Sequence, residues 1–157
     1  MPSDYAPHWD NSKRSDMSTT SLQDFIAKTA AKKRITFGDV RRLQRSILPD
    51  GIVDREQADQ LLDLDRAVAR ADAAWADWLV AGVVDFAVWG ERPTGFVEGE
   101  AASWLGEALT RGGPLTKAGR RIAREVRREA ERVGEPIAAL AAEEPADAAF
   151  VPAQIAA

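Results

Sequence analysis

Two stretches of this 157-residue sequence carry residue types at a spacing that could do chemistry. In Asp50-Gly51-Ile52-Val53-Asp54-Arg55-Glu56, the carboxylates Asp50, Asp54 and Glu56 could offer oxygen ligands to a divalent cation. In the segment Lys117–Val133, Arg120, Arg124, Arg127 and Arg128 recur at spacings that put them on one face of a helix. Such a face attracts phosphate, an acidic protein or an anionic membrane surface. Plainer roles compete with both. Asp54 can cap a helix, Glu56 can favour that helix's N-terminal dipole, and Asp50 can sit in the turn before it. The arginines can line a solvated surface in pairs such as Arg121–Glu125 and Arg128–Glu131.

Little else is available for catalysis. The chain has no cysteine, which removes disulfides, thiolate metal sites and Cys nucleophiles together. Its single histidine, His8, lies in a polar stretch, so neither a Ser-His-Asp triad nor a multi-histidine metal centre is expected. No Gly-rich phosphate loop, HExxH or GxSxG occurs. Carboxylate pairs are the acid/base groups left, and none has the spacing of a paired site. The sequence predicts no catalytic residue, no cofactor and no enzyme activity. The 50–56 loop also fails as an EF-hand. With Gly51 at the invariant glycine position, Leu48 and Gln57 fall where oxygen ligands and a bidentate Glu are needed, and the matching loop around Gly113 has no carboxylate ligand.

The elements that must position these residues read as helices throughout. Ser21, Thr36, Asp54, Asp72 and Thr116 stand where N-caps belong, with Thr36–Asp39 at capping-box spacing. A helix from Asp72 to Trp89 is apolar nearly all round and should be central, with Trp75, Trp78 and Trp89 in the core, Asp77 and Asp85 at a solvated edge, and Gly82 marking the close approach of another helix. A fifth helix is expected from about Glu98 to Leu109. A sixth should run from Thr116 to near Gly134 with Ile122, Val126, Ala130 and Val133 inward, and a short last helix should follow Pro136. No segment alternates with a period of two. The class is all-α, with about seven helices.

Shifting the sequence by 62 residues superposes two helix–loop–helix units. Ile35 falls on Val97, Leu43 on Leu105, Ile47 on Leu109, Gly51 on Gly113, Val53 on Leu115, the cap Asp54 on Thr116, and Leu64 on Val126. In each, the glycine supplies a positive φ and the apolar residue after it tucks under the turn. The expected architecture is a pseudo-symmetric pair of units around the Trp-rich helix.

The run Asp50-Gly51-Ile52-Val53-Asp54-Arg55-Glu56 before a Leu-rich helix resembles the first helix–turn–helix of TerB-like domains. These are all-helical modules named for a bacterial tellurite-resistance protein and found also in membrane-anchored co-chaperones. Gly113-Pro114-Leu115-Thr116 looks like the degenerate second copy such domains carry. The resemblance covers roughly residues 22–142. It implies a cytoplasmic, non-enzymatic interaction or stress-response module, and the acids missing from the second loop weigh against the metal binding implicated in some members.

Charge is distributed in blocks. Residues 1–49 carry nine cations against five acids, 50–110 four against thirteen, 111–134 eight against three, and 135–157 none against four. This alternation suits a charged protein partner. The function expected is a protein-interaction module or accessory subunit, with Arg120, Arg124, Arg127 and Arg128 meeting an acidic partner. Lys28, Lys32, Lys33, Arg34, Arg41, Arg42 and Arg45 form a second basic stretch. The alternatives are nucleic-acid or anionic-surface binding through residues 117–133, and weak metal binding at Asp50, Asp54 and Glu56. A sequence pI near 5.1 and an acidic middle disfavour DNA, although Gly112-Gly113-Pro114 before helix six imitates a helix-turn-helix entry. Residues 1–19 and 144–157 read as polar and Ala/Pro-rich tails around a domain at 20–143, with Met17 an alternative start. No signal peptide is expected, and the apolar run Leu79–Trp89, broken by Asp85, falls short of the ~20 residues of a membrane span. A cytoplasmic bacterial protein is the expectation.

Overall fold

The computed structural model describes residues 21–143, so both expected tails, His8 and Met17 lie outside the described residues. The fold is all-α, with seven helices among the described residues and two very short parallel strand pairs. In chain order these are α1 (21–32), β1 (Arg34–Ile35), α2 (Phe37–Arg42, continued by a π-helical turn Leu43–Ile47), α3 (Arg55–Ala67), β2 (Arg70–Ala71) and α4 (Ala73–Asp85, continued by a π-helical turn Phe86–Gly90). Then come β3 (Phe96–Val97), α5 (Gly99–Thr110), α6 (Lys117–Glu129), β4 (Arg132–Val133) and α7 (Ile137–Ala142). The chain divides after Phe86 into two compact units.

The 62-residue repeat is present in the backbone of both units. In the first, the amides of Ala69 and Arg70 donate to the Lys33 carbonyl (3.0 and 3.4 Å) and that of Asp72 to Ile35 (2.8 Å). In the second, Glu131 and Arg132 donate to Gly95 (2.7 and 3.3 Å) and Gly134 to Val97 (2.8 Å). The repeat within each unit therefore runs strand, helix, loop, helix, strand, and closes by pairing its two strands in parallel: Arg34 with Arg70 and Ile35 with Ala71, then Phe96 with Arg132 and Val97 with Val133. Two-residue strands are too short to show a period of two, so the sequence gives no sign of them. They also cut helix six short. It ends at Glu129 rather than near Gly134, because the amides that would extend it turn to the Gly95 carbonyl; Ala130 becomes its C-cap and Val133 a strand residue.

Caps set where the helices begin. Thr36 Oγ1 accepts from the Asp39 amide (3.1 Å) while Asp39 Oδ2 accepts from the Thr36 amide (2.9 Å), a complete capping box for α2. Asp54 caps α3 through the Gln57 amide (2.8 Å), Asp72 caps α4 through Ala74 (2.9 Å), and Thr116 caps α6 through Gly119 (2.9 Å). Ser21 is already helical rather than a cap. Gly51 and Gly113 have φ of 79° and 132°, as the turns before α3 and α6 require. The residue tucked under the turn differs, however. Leu115 is buried in the second unit, but in the first Ile52 is buried and Val53 is exposed.

In the first unit α4 packs against α2 and α3 around Leu22, Phe25, Ile35, Leu43, Leu61, Leu64, Trp75, Leu79 and Val83, all at most 1% exposed. Trp75 donates its indole N–H to Asp65 (3.0 Å) and stacks on Trp78 at a centroid distance of 5.9 Å. The close approach at Gly82 comes from the loop side chain Ile52, whose Cδ1 lies 3.1 Å from where a methyl would stand, and not from a helix. Asp77 and Asp85 are exposed, as expected of an edge. With its π-helical turn, α4 spans 18 residues at a mean hydropathy of 1.2, enough by length and composition to cross a bilayer. Its buried Trp75, Leu79 and Val83 are what a core helix of the same composition would show. In the second unit α7 packs against α5 and α6 around Val97, Leu105, Ile122, Ala123, Val126 and Ile137. The Pro136 ring occupies the space a side chain at Gly106 would need.

Candidate functional site

The outward face of α6 gathers cations because its inward face is small and apolar. Ala118, Gly119, Ile122, Ala123 and Val126 are buried, and at 100° per residue the remaining arc carries Lys117, Arg120, Arg121, Arg124, Arg127 and Arg128. The four arginines picked out by spacing do share this arc, but they are not equivalent. Arg120 is half-buried, and its guanidinium donates to the Leu115 carbonyl (3.1 Å), tying down the turn before α6. Arg124 donates weakly to the Glu143 carbonyl (3.4 Å). Arg128 pairs with Glu125 (2.6 Å), three residues back, in place of the expected partner Glu131. The Arg127 side chain is exposed and makes no ion pair or hydrogen bond among the described residues. Arg127 and Arg128 also stand in the last turn, where the helix dipole favours cations. Lys117 completes the arc, a residue that spacing alone did not single out.

Trp89 is a further residue that the sequence misplaced. Expected in the core, it is 44% exposed. Its indole N–H donates to Glu129 Oε1 (2.8 Å), which holds the ring beside the C-terminal end of α6. An apolar helix pattern cannot show that its last turn has left the core. Trp89 and Glu129 thus set an exposed aromatic ring beside a carboxylate at the end of α6.

The acidic loop does not bring its three carboxylates together. Asp50, Asp54 and Glu56 are all exposed, and Asp54 is committed to its cap. Among the described residues no three His, Cys, Asp or Glu side chains are grouped to hold a metal ion. The second basic stretch lies in the first unit, where several members have local partners. Lys28 pairs with Asp24 (3.1 Å), Lys32 with Asp39 (2.8 Å), and the guanidinium groups of Arg41 and Arg42 lie over the rings of Phe37 and Phe25 at 5.7 and 5.6 Å. Burial pushes the Asp39 carboxyl up, but hydrogen bonds from Lys32 and from the backbone and hydroxyl of Thr36, with the Lys32 charge, outweigh it and hold it below the usual carboxylate range.

Comparison of the chain with protein-family models, curated proteins and solved structures finds no match.

Proposed function

We propose that this protein is a non-enzymatic protein-interaction module that uses the outward face of α6 to bind an acidic partner surface, as an accessory subunit or adaptor of a larger assembly. One observation carries the reading. Positions 58 and 62 of α3 are Ala58 and Leu62, both buried; the equivalent positions of α6 are Arg120 and Arg124, with Arg124 exposed among five other cations. A face that one repeat covers is left open and charged in the other. The Gly51 and Gly113 turns with their Asp54 and Thr116 caps support a TerB-like assignment, which stays part of this proposal. So do bacterial origin and a cytoplasmic location.

The test is charge reversal at Arg124→Glu and Arg128→Glu. The double variant should lose partner capture from nuclease-treated native lysate at moderate salt while its melting temperature stays within about 2 °C of the parent, as expected for exposed substitutions. Capture that survives reversal would sink the reading. A large fall in melting temperature would make these arginines structural. Retention only of nuclease-sensitive material, weakening steeply with salt, would point to nucleic acid instead.

A further inference from the structure

The parallel pair β1–β2 sets two arginines directly opposite each other. Arg34 and Arg70 are in register, so their α-carbons stand about 5 Å apart, and both side chains are exposed while Ile35 turns inward. Like charges placed this way repel. Neither guanidinium makes an ion pair or hydrogen bond among the described residues. Both line an open groove of roughly 440 Å³, together with Thr36, the ring of Phe37 and Asp72. Asp72 makes no ion pair with either: its carboxylate accepts from the Ala74 amide as the cap of α4, and its single charge leaves the groove with one net positive charge. Thr36 is likewise closed within the capping box of α2.

The second repeat shows what such a place holds when it is complete. There Arg132 stands at the position of Arg70, and Glu98 stands at the position of Thr36 with its Oε1 3.5 Å from Arg132 Nε. The first repeat has exchanged that carboxylate for a capping threonine and added a second arginine. It therefore has two guanidinium forks where its sibling has one fork and its own acid. Phe37, 53% exposed, adds an apolar wall at the equivalent of Gly99.

We propose that this groove is a peptide-binding site that takes an acidic or phosphorylated side chain between Arg34 and Arg70, with an apolar neighbour of that side chain against Phe37. The ligand's oxyanion fills the role that Glu98 has in the second repeat, and two guanidinium groups can clamp it through charge-assisted hydrogen bonds. The groove belongs to the first unit and stands independently of the α6 face.

The experiment is an amide chemical-shift titration of the full ¹⁵N-labelled chain with three blocked tripeptides: Leu-Glu-Phe, Leu-phosphoserine-Phe and Leu-Gln-Phe. The expected result is saturable shifts at residues 34–37 and 70–72 with the first two, at dissociation constants on the order of 1 mM or tighter, and at least tenfold weaker binding of the Gln peptide. Whichever anionic peptide binds tighter identifies the source of the oxyanion. The shifts should vanish in Arg34→Gln/Arg70→Gln, weaken in Arg70→Gln alone, and persist in Arg124→Glu/Arg128→Glu. Equal binding of the Gln peptide, no shifts at these amides, or shifts confined to α6 would overturn the proposal, whatever the partner-capture experiment on α6 gives.

Discussion

The two units share a backbone but not a surface. Strand pairing, the turn glycines and the caps of α3 and α6 recur at 62-residue spacing, as do core positions such as Leu43 and Leu105, both fully buried. What differs is outside. α3 carries Glu56, Asp59, Asp63 and Asp65 against two arginines, whereas α6 carries six cations against Glu125 and Glu129. The strand pair carries two arginines without an ion-pair partner in one repeat and a paired Arg132–Glu98 in the other. Buried hydrogen bonds and packing fix the path, because breaking them costs several kcal/mol, while exposed charges are free to diverge within about 0.5 kcal/mol. The places where the repeats disagree are therefore where distinct functions can be read.

The largest test of this comparison lies at the shared core. Trp75 and Ile137 occupy equivalent positions, 1% and 0% exposed. Trp75→Ala should destabilise by about 3–5 kcal/mol and Ile137→Ala by about 2–5 kcal/mol, measured by urea unfolding. A cost below 1 kcal/mol at either would mean that the two cores are not built alike. Next comes a place where the repeats should part. Gly106→Ala drives a methyl into the Pro136 ring and should cost about 1–3 kcal/mol, whereas the equivalent exposed Gln44→Ala should stay within about 0.5 kcal/mol.

Much of this was legible beforehand, for identifiable reasons. Caps, turn glycines and the repeat are local: Thr36, Asp54, Asp72 and Thr116 bond to amides two or three residues away, so the sequence holds both partners side by side. The basic face of α6 was legible because helical spacing alone defines it. The strand pairs were not, since each joins residues 36 positions apart and spans two residues. Trp89 was missed for a similar reason. Its exposure depends on where the last turn of α4 points, and its partner Glu129 lies 40 residues away. Arg34 and Arg70 each read as ordinary surface cations until the strand pairing sets them opposite one another.

A smaller effect sharpens the comparison at the turn before each first strand. Lys33 has φ of 55° where its counterpart Gly95 has 86°. A side chain in the left-handed region costs about 1–2 kcal/mol, partly offset by the extra unfolded-state entropy of glycine, about 0.5–1 kcal/mol. Lys33→Gly should therefore stabilise by roughly 0.5 kcal/mol. Gly95→Ala should destabilise by about 1–2 kcal/mol, because its methyl also meets Glu131 and Trp89 at 3.4 and 3.6 Å. A loss of stability in Lys33→Gly would show that the first repeat gains something from that lysine which the second does without.

The smallest predicted effect is in acid and belongs to the first repeat alone. Asp39 closes the capping box of α2, and its equivalent in α5 is Ala101, where Glu98 makes no side-chain cap. Because the folded pKa of Asp39 is lowered, the unfolded chain binds that proton more readily than the native protein. Its contribution is complete above the ordinary carboxylate pKa of about 3.9 and is lost as pH falls through the lowered folded value. Asp39→Asn should thus reduce the melting temperature at neutral pH and flatten its decline below about pH 4. If hydrogen exchange is followed residue by residue over the same range, the added acid sensitivity of the parent should appear in the amides of α2 and not in those of α5. An identical acid response in both helices would show that ordinary surface carboxylates, not this box, set the difference between the repeats.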